Sequence, residues 1–530
     1  MSYQIEPQMY QNFKGIREFN GVNAGGEISA ITSENVEFVQ TEIGSATSIK
    51  SMYGNKLYKS LGLNYNVVGI FETQQDDLVY KIIYAEDDTQ GKLFYIGIDD
   101  QVNEIQATFT KTGECNGLTM SSSAFDVFIF TNGEERKALC FTNDQAYEAV
   151  IEGKSTVRIG TIGYLTDIDA KDRNNNPIKW LSMTEWNGFL VVASQRGVNS
   201  SHQNDIYVWN EDPQDVADSW YIEFSKKVTA VASFTGGLYI FTATECSLLN
   251  TTPNDTTNSK LITSSGVGCF SYSSLVKHDT YLFFYDNQQK NVYYLAVTDT
   301  TGQTKPTGPV AKEIQSYLEN PRKIKMFSCV YNKKNEIWCL VDDNILILDY
   351  TQQEWTTRKE QSINTLTVSQ NTVLSGDNIG NIYIENVGKD FSGSFYPSEY
   401  TTTIINLGTN TNLKKQKTPL LLTLDTNYTN DFWVQIIRNS KAKNPKRVKV
   451  SFVGDSRYTN DDETPNEDNS YDNAIFVPET IYNKRVVEIS TPQTWYTLGV
   501  RIYTDTKGQG FFINSMELKN LKGKTKTKGR

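Results

Sequence analysis

A chain of 530 residues that is 38% apolar and carries a formal net charge of −11 is long enough for more than one domain, each with its own core. Its acidity opposes a duplex-wrapping role, because an acidic surface repels nucleic acid at long range, yet it leaves room for a channel through which DNA slides. The opening MSYQIEPQMY is polar and no apolar run approaches the ~20 residues that span a bilayer, so neither a signal peptide nor a membrane helix is expected and the chain should be soluble.

Tyr (30) and Phe (25) are abundant and Pro (13) is sparse, a composition that favours pleated surfaces. Residues 1–60 read as short strands, with turns at Asn20-Gly21 and Gly25-Gly26. From about 65 to 390 one form recurs: a polar turn, an apolar strand, a short polar loop and a second strand. Copies are DLVYKIIYAEDDTQGKLFYIGIDD (77–100), SAFDVFIFTNGEERKALCFTND (123–144), WNGFLVVASQ…DIYVWN (186–210) and TGGLYIFTATECSLLN (235–250). Three more are HDTYLFFYDNQQKNVYYLAV (278–297), KNEIWCLVDDNILILDY (334–350) and GDNIGNIYIEN (376–386). Taking Phe189, Leu238, Leu282, Ile337 and Ile382 as equivalent points gives steps of about 44 to 55 residues, the repeat length of propellers.

The first strand of each pair is almost continuously apolar, as strands buried on both faces are. The second alternates more, with Ile206 and Val208 set against Tyr207 and Trp209. One such hairpin buries too little apolar surface to stand alone, and radial repetition lets each sheet pack on its neighbours. The expected fold is all-β: a β-propeller of six or seven blades over 65–390, with two successive β-sandwiches as the alternative. The best helical pattern is VAKEIQSYLENP, where Val310, Ile314, Tyr317 and Leu318 share a face and Pro321 ends the run.

After residue 391 the blade turn disappears and longer strands predict a β-sandwich-like domain over 391–520. Within it the acidic loop DDETPNEDNSYDN is expected to be mobile. Residues 1–64 have two roles open to them, closing the propeller or joining the C-terminal domain. Lys522, Lys524, Lys526, Lys528 and Arg530 make 521–530 a basic tail, too like-charged to pack.

Residue patterns that carry chemistry are sparse in this sequence. The six cysteines (115, 140, 246, 269, 329 and 339) form no CxxC and mostly sit in apolar runs, which predicts buried free thiols. The two histidines, His202 and His278, lack metal-ligand spacing, and no nucleophile elbow, phosphate loop or HExxH is present. Asp167, Asp169 and Asp172 share one loop, but Lys171 stands where a calcium loop needs an oxygen, so a solvated turn is the expectation. SGDNIGNIYI (375–384) reads as a blade turn rather than a sialidase Asp-box, since its glycine is one place late and the tryptophan is absent. No cofactor, metal or small-molecule substrate is expected, and no enzymatic activity.

Two basic clusters stand out on this acidic chain. Lys414, Lys415 and Lys417 form one; Arg438, Lys441, Lys443, Lys446, Arg447 and Lys449 form the other. They are either solvated faces balanced by acids such as Asp461, Asp462 and Glu463, or a surface that docks on an acidic partner or touches phosphates.

The segment WNGFLVVASQ…NDIYVWNEDPQD…W (186–220) resembles the middle of the tail nozzle proteins of short-tailed bacteriophages, a family that includes packaged-DNA stabilisation proteins and the larger tail tubular proteins. It keeps Asp212-Pro213 and Trp220, and departs with Gln195-Arg196 after the strand and Trp209-Asn210 where the family often has Ser. Segments 228–249, 266–295, 330–358 and 494–519 are similar to the elements that follow, in the same order, and NGVNAGGEIS matches the opening strand weakly. The resemblance implies a homo-hexameric ring in the virion tail, assembled in the host cytoplasm, that extends the DNA exit channel below the head-to-tail adaptor. It implies portal or adaptor rings, tail fibres and a plug or needle as partners, and transient non-specific contact with genomic double-stranded DNA. The alternative is a receptor- or carbohydrate-binding propeller, in which Trp186, Trp209 and Tyr239 would stack on sugars.

Overall fold

A computed structural model describes residues 2–5, 8–16, 27–40, 46–62, 64–75, 77–121, 126–142, 145–160, 163–172, 174–209, 214–296, 306–331, 334–359, 362–388, 390–403, 414–415, 419–425, 429, 431–438, 441–448, 458–460, 474–476, 484–490, 497–507, 509–518 and 521–524. They fall into two compact units: Lys56–Leu346 with Ser362–Glu385, and Met1–Asn55 with Ile347–Gln361 and Asn386–Arg530. The acidic loop 461–473 lies outside the described residues.

The first unit is a β-propeller. Six antiparallel sheets stand apart as blades. Their innermost strands are Asn66–Gln75, Asn116–Ser121, Met183–Trp186, Val228–Phe234, Leu275–His278 and Thr365–Ser369. The strands Ile324–Tyr331 and Lys334–Val341, which belong to an additional mixed sheet, fill the remaining place between the fifth blade and the last. Neighbouring innermost strands touch around the ring, except that the fourth and fifth blades meet through the 3₁₀ turn Tyr272–Ser274 and a shared apolar cluster, and Thr365–Ser369 returns to Asn66–Gln75. The last blade takes its outermost strand, Asn55–Ser60, from the N-terminal side of the chain. Closure by radial packing explains how short sheets with modest cores become stable together.

The recurrent hairpins are the second and third strands of the blades. Phe189–Ser194, Gly237–Thr242, Tyr281–Asp286 and Lys334–Val341 are buried along almost their whole length, which is why they read as continuous apolar runs. The polar turn before each is the link from the innermost strand. In WNGF, Asn187 (φ 54°) and Gly188 (φ 83°) make a two-residue turn in the left-handed region, the geometry that matches strand twist in a hairpin. Thr235-Gly236 and Gln370-Asn371 repeat it.

Four expectations need correction. The described part of DIYVWN, residues 205–209, is not a strand: the third strand of that blade is Gly197–Ser200, and residues 202–209 form turns and loop in which the Trp209 indole donates from Nε1 to the carbonyl of buried Ile206, 2.8 Å. Ile382 lies in a third strand, whereas Phe189, Leu238, Leu282 and Ile337 lie in second strands. The helical pattern at 310–321 is a kinked 3₁₀ segment, Lys312–Leu318, whose Ile314 and Leu318 are buried as the periodicity predicts. Leu521–Lys524 is a strand rather than tail, pairing antiparallel with Ser2–Ile5 and Lys414–Lys415. Backbone pairing needs no apolar side chains, so a run of lysines does not forbid it.

The second unit gathers strands from both ends of the chain. Asn12–Ile16 runs parallel to Glu27–Glu34, and Glu399–Thr402 lies antiparallel to both Glu27–Glu34 and Leu498–Tyr503. Pro419–Asp425 pairs with Lys484–Ser490 and with Phe512–Leu518. Their inward faces form one core that includes Phe13, Ile28, Tyr400, Leu422, Val500 and Met516. Residues 347–361, expected inside the propeller span, belong to this unit.

Buried acids order the blade turns. Asp377 is 4% exposed and accepts the amides of Ile379 and Asn381 at 2.9 and 2.8 Å and the Tyr383 hydroxyl at 2.9 Å. Carboxylates satisfy several turn amides at once, so part of the negative charge is spent inside the fold. Asp377→Ala should destabilise the propeller by about 2 kcal/mol in urea denaturation, the cost of leaving such donors unmet; an unchanged midpoint would refute that role.

Candidate functional site

The first candidate surface is a basic edge in the second unit. Phe432–Arg438 pairs with Lys446–Val448 and with Lys441–Ala442, with Arg438 opposite Lys441, Val434 opposite Lys446 and Trp433 opposite Arg447. Antiparallel pairing thus brings Arg438, Lys441, Lys446 and Arg447 onto one hairpin. Lys441, Lys446 and Arg447 are exposed, while Arg438 and Lys443 are half-buried. Arg447 is bound to Asp431 at 2.9 Å, so part of its charge is answered locally. Lys443 contributes its carbonyl, which accepts from Gln435 Nε2 at 2.8 Å. Lys414 and Lys415 lie elsewhere, on the three-stranded sheet, where Lys414 sits opposite Lys524. Lys417 and Lys449 lie outside the described residues.

The other residues singled out by sequence take separate structural places. Asp167 pairs with Lys137 and Asp169 with Lys171, while Asp172 caps its own turn through the amides of Asn174 and Asn176 at 2.9 and 2.8 Å. The three carboxylates do not converge. Among the described residues no group of three or more His, Cys, Asp or Glu is placed to hold a metal. His202 Nδ1 lies 2.9 Å from Gln203 O. His278 is buried against Ser328 Oγ at 2.8 Å, and burial lowers its pKa. All six cysteines are free thiols; Cys115 is half-buried and the other five are buried. Trp186 and Tyr239 are core residues, the Trp186 indole donating to Gly236 O at 3.1 Å, and Trp209 stacks on Trp180 at 5.7 Å between centroids. No described helix is long and apolar enough to cross a membrane.

The second candidate site went unnoticed in the sequence. A cavity of about 460 Å³ lies at the centre of the propeller, lined by residues of every innermost strand in the ring, among them Val68, Gly117, Thr184, Ser233, Lys277, Lys325 and Thr367. Lys325 is 8% exposed, and its Nζ donates to Val68 O at 3.2 Å and Asn364 O at 3.0 Å. Burial, followed by the nearby Lys323 charge, holds its pKa down at about 8, against the opposing pull of Cys115, Glu114 and Glu86. The signal was present: in the strand IKMFSCVY, Lys325 stands between Ile324 and Met326, which are both buried, and is buried itself.

No family model matches this chain, and no curated protein matches it. Among solved structures it is similar to the computationally designed Ika8 protein, with a TM-score of 0.36 and 10% identity, over 63% of this chain and 100% of that one. The propeller assignment rests on the closed ring of sheets itself.

Proposed function

We propose that this protein is the nozzle subunit of a short phage tail. Six copies form a ring that extends the DNA exit channel below the head-to-tail adaptor, helps retain the packaged genome and then releases it. The observation that carries this reading is a coincidence of order. The nozzle-like segments 186–220, 228–249 and 266–295 fall one after another on the third blade, the fourth and the fifth, and the first part of 330–358, up to residue 346, falls on the strands that complete the ring. A sheet ring whose last blade is completed by a strand from ahead of the first blade is a stiff wall element, and cyclic association of such elements encloses a tube.

The charge distribution supports the same role. A chain of net charge −11 offers a phosphate backbone few sticking points, so duplex DNA passes with transient, non-specific contact. The exposed basic hairpin then suits an acidic ring partner rather than the DNA itself. Purified protein should assemble, alone or on a portal complex, into six-fold rings visible by electron microscopy. Lys441→Glu combined with Lys446→Glu should weaken portal binding at least tenfold, with an unchanged circular dichroism spectrum. A strictly monomeric protein that does not bind a portal, together with virions that lack it and still keep their DNA, would defeat the proposal.

A further inference from the structure

We propose that the central cavity of the propeller binds a small oxyanion, a carboxylate or phosphate group on a molecule no larger than the cavity, with Lys325 as its buried counter-charge. This goes beyond the nozzle reading and does not depend on it.

A buried ammonium is costly unless it is paired and fully hydrogen-bonded. Lys325 reaches two carbonyl oxygens, Val68 O and Asn364 O, and among the described residues it makes no ion pair. An ammonium has three donors, so one is left for whatever occupies the cavity that the residue lines. Its titratable surroundings are Lys323, Cys115, Glu114 and Glu86, and none of the acids touches it. With a pKa of about 8 the amine is mostly protonated at neutral pH, so the cation is present without a contacting anion.

The rest of the wall fits the same ligand. Lys277, exposed on the fifth blade's innermost strand, adds a second positive charge to the lining. Ser233 and Thr367 bring hydroxyls from two other blades, which suit oxygen-rich groups. A cavity of about 460 Å³ is the size of small-molecule sites and excludes a DNA duplex. Two amines argue against a metal cation as occupant, and a neutral sugar would leave the buried charge unanswered.

The test is calorimetric titration of the full chain with sulfate and, separately, malonate, at low millimolar concentration and constant ionic strength held with sodium chloride. Sulfate stands for a phosphate group and malonate for carboxylates, so the tighter probe identifies the source. Binding is expected at about pH 7, and the apparent Kd should rise about tenfold per pH unit above 8 as the amine loses its proton. Lys325→Met should abolish binding while keeping the circular dichroism spectrum, and Lys277→Ala should weaken it severalfold. If Lys325→Met does not fold, the pH profile of the unaltered chain and the Lys277→Ala titration decide. Absence of binding by both anions, a Kd that stays level from about pH 7 to 9.5, or undiminished binding by folded Lys325→Met would each overturn the proposal.

Discussion

Replacing Asp286 with Ala should cost the propeller about 3–5 kcal/mol, enough to unfold a marginal domain. Asp286 is fully buried and its carboxylate accepts three backbone amides: Gly268 at 2.6 Å and Gln288 and Gln289 at 2.7 Å each. The last two close the turn after Tyr281–Asp286, and the first ties that turn to the link arriving from the fourth blade. The link has no slack, since a Cβ on Gly268 would lie 2.3 Å from Thr242 O. Truncation therefore strands three donors away from water, where charge-assisted bonds had satisfied them. Asp286→Asn, which keeps an acceptor oxygen, should recover part of the loss. Urea denaturation measures both, and an alanine variant within about 1 kcal/mol of the parent would contradict the account.

Lys325→Met should do the opposite at neutral pH and stabilise the propeller by about 1–3 kcal/mol. The sign follows from linkage. The folded-state pKa is about 8, below the ordinary 10.5, so the unfolded chain holds this proton more tightly. Below pH 8 the parent bears the full burden of a buried charge. From pH 8 to 10.5 that burden is relieved, by at most about 3 kcal/mol, because only the unfolded state stays protonated. Losing the two bonds to Val68 O and Asn364 O reduces the net gain. Paired denaturation at about pH 7 and pH 10, without added sulfate or carboxylate, should show the methionine variant ahead at the lower pH and its lead shrinking at the higher. A lead that widens with pH would refute the linkage.

How much of this was legible beforehand depends on which side of a strand meets the core. FLVVAS, GLYIFT and YLFFYD are buried on both faces, so composition alone exposes them. The innermost strands, such as Met183–Trp186 and Thr365–Ser369, border the central cavity and mix polar with apolar residues, so no run betrays them. Their two-residue turns were visible, but which strand came before each turn was not. DIYVWN deceived because Ile206 and Val208 alternate with Tyr207 and Trp209 as in a strand, although Trp209 packs on Trp180 from a loop. Of the basic residues, Arg438, Lys441, Lys446 and Arg447 meet through antiparallel register, which spacing alone does not reveal. Lys325 needed a neighbour from a distant blade before its isolation meant anything.

The strand Asn55–Ser60 leaves the ribosome long before Thr365–Glu385, the segment whose sheet it joins. During synthesis it must wait unpaired while roughly 300 residues are added, tens of seconds at ordinary translation speed. Until then the growing wheel is an open arc with two bare edges, each able to capture a strand from a neighbouring nascent chain. Crowded polysomes should thus be the stage at which this protein is most exposed to swapping and aggregation, and a permutant that begins at the last blade should escape that wait.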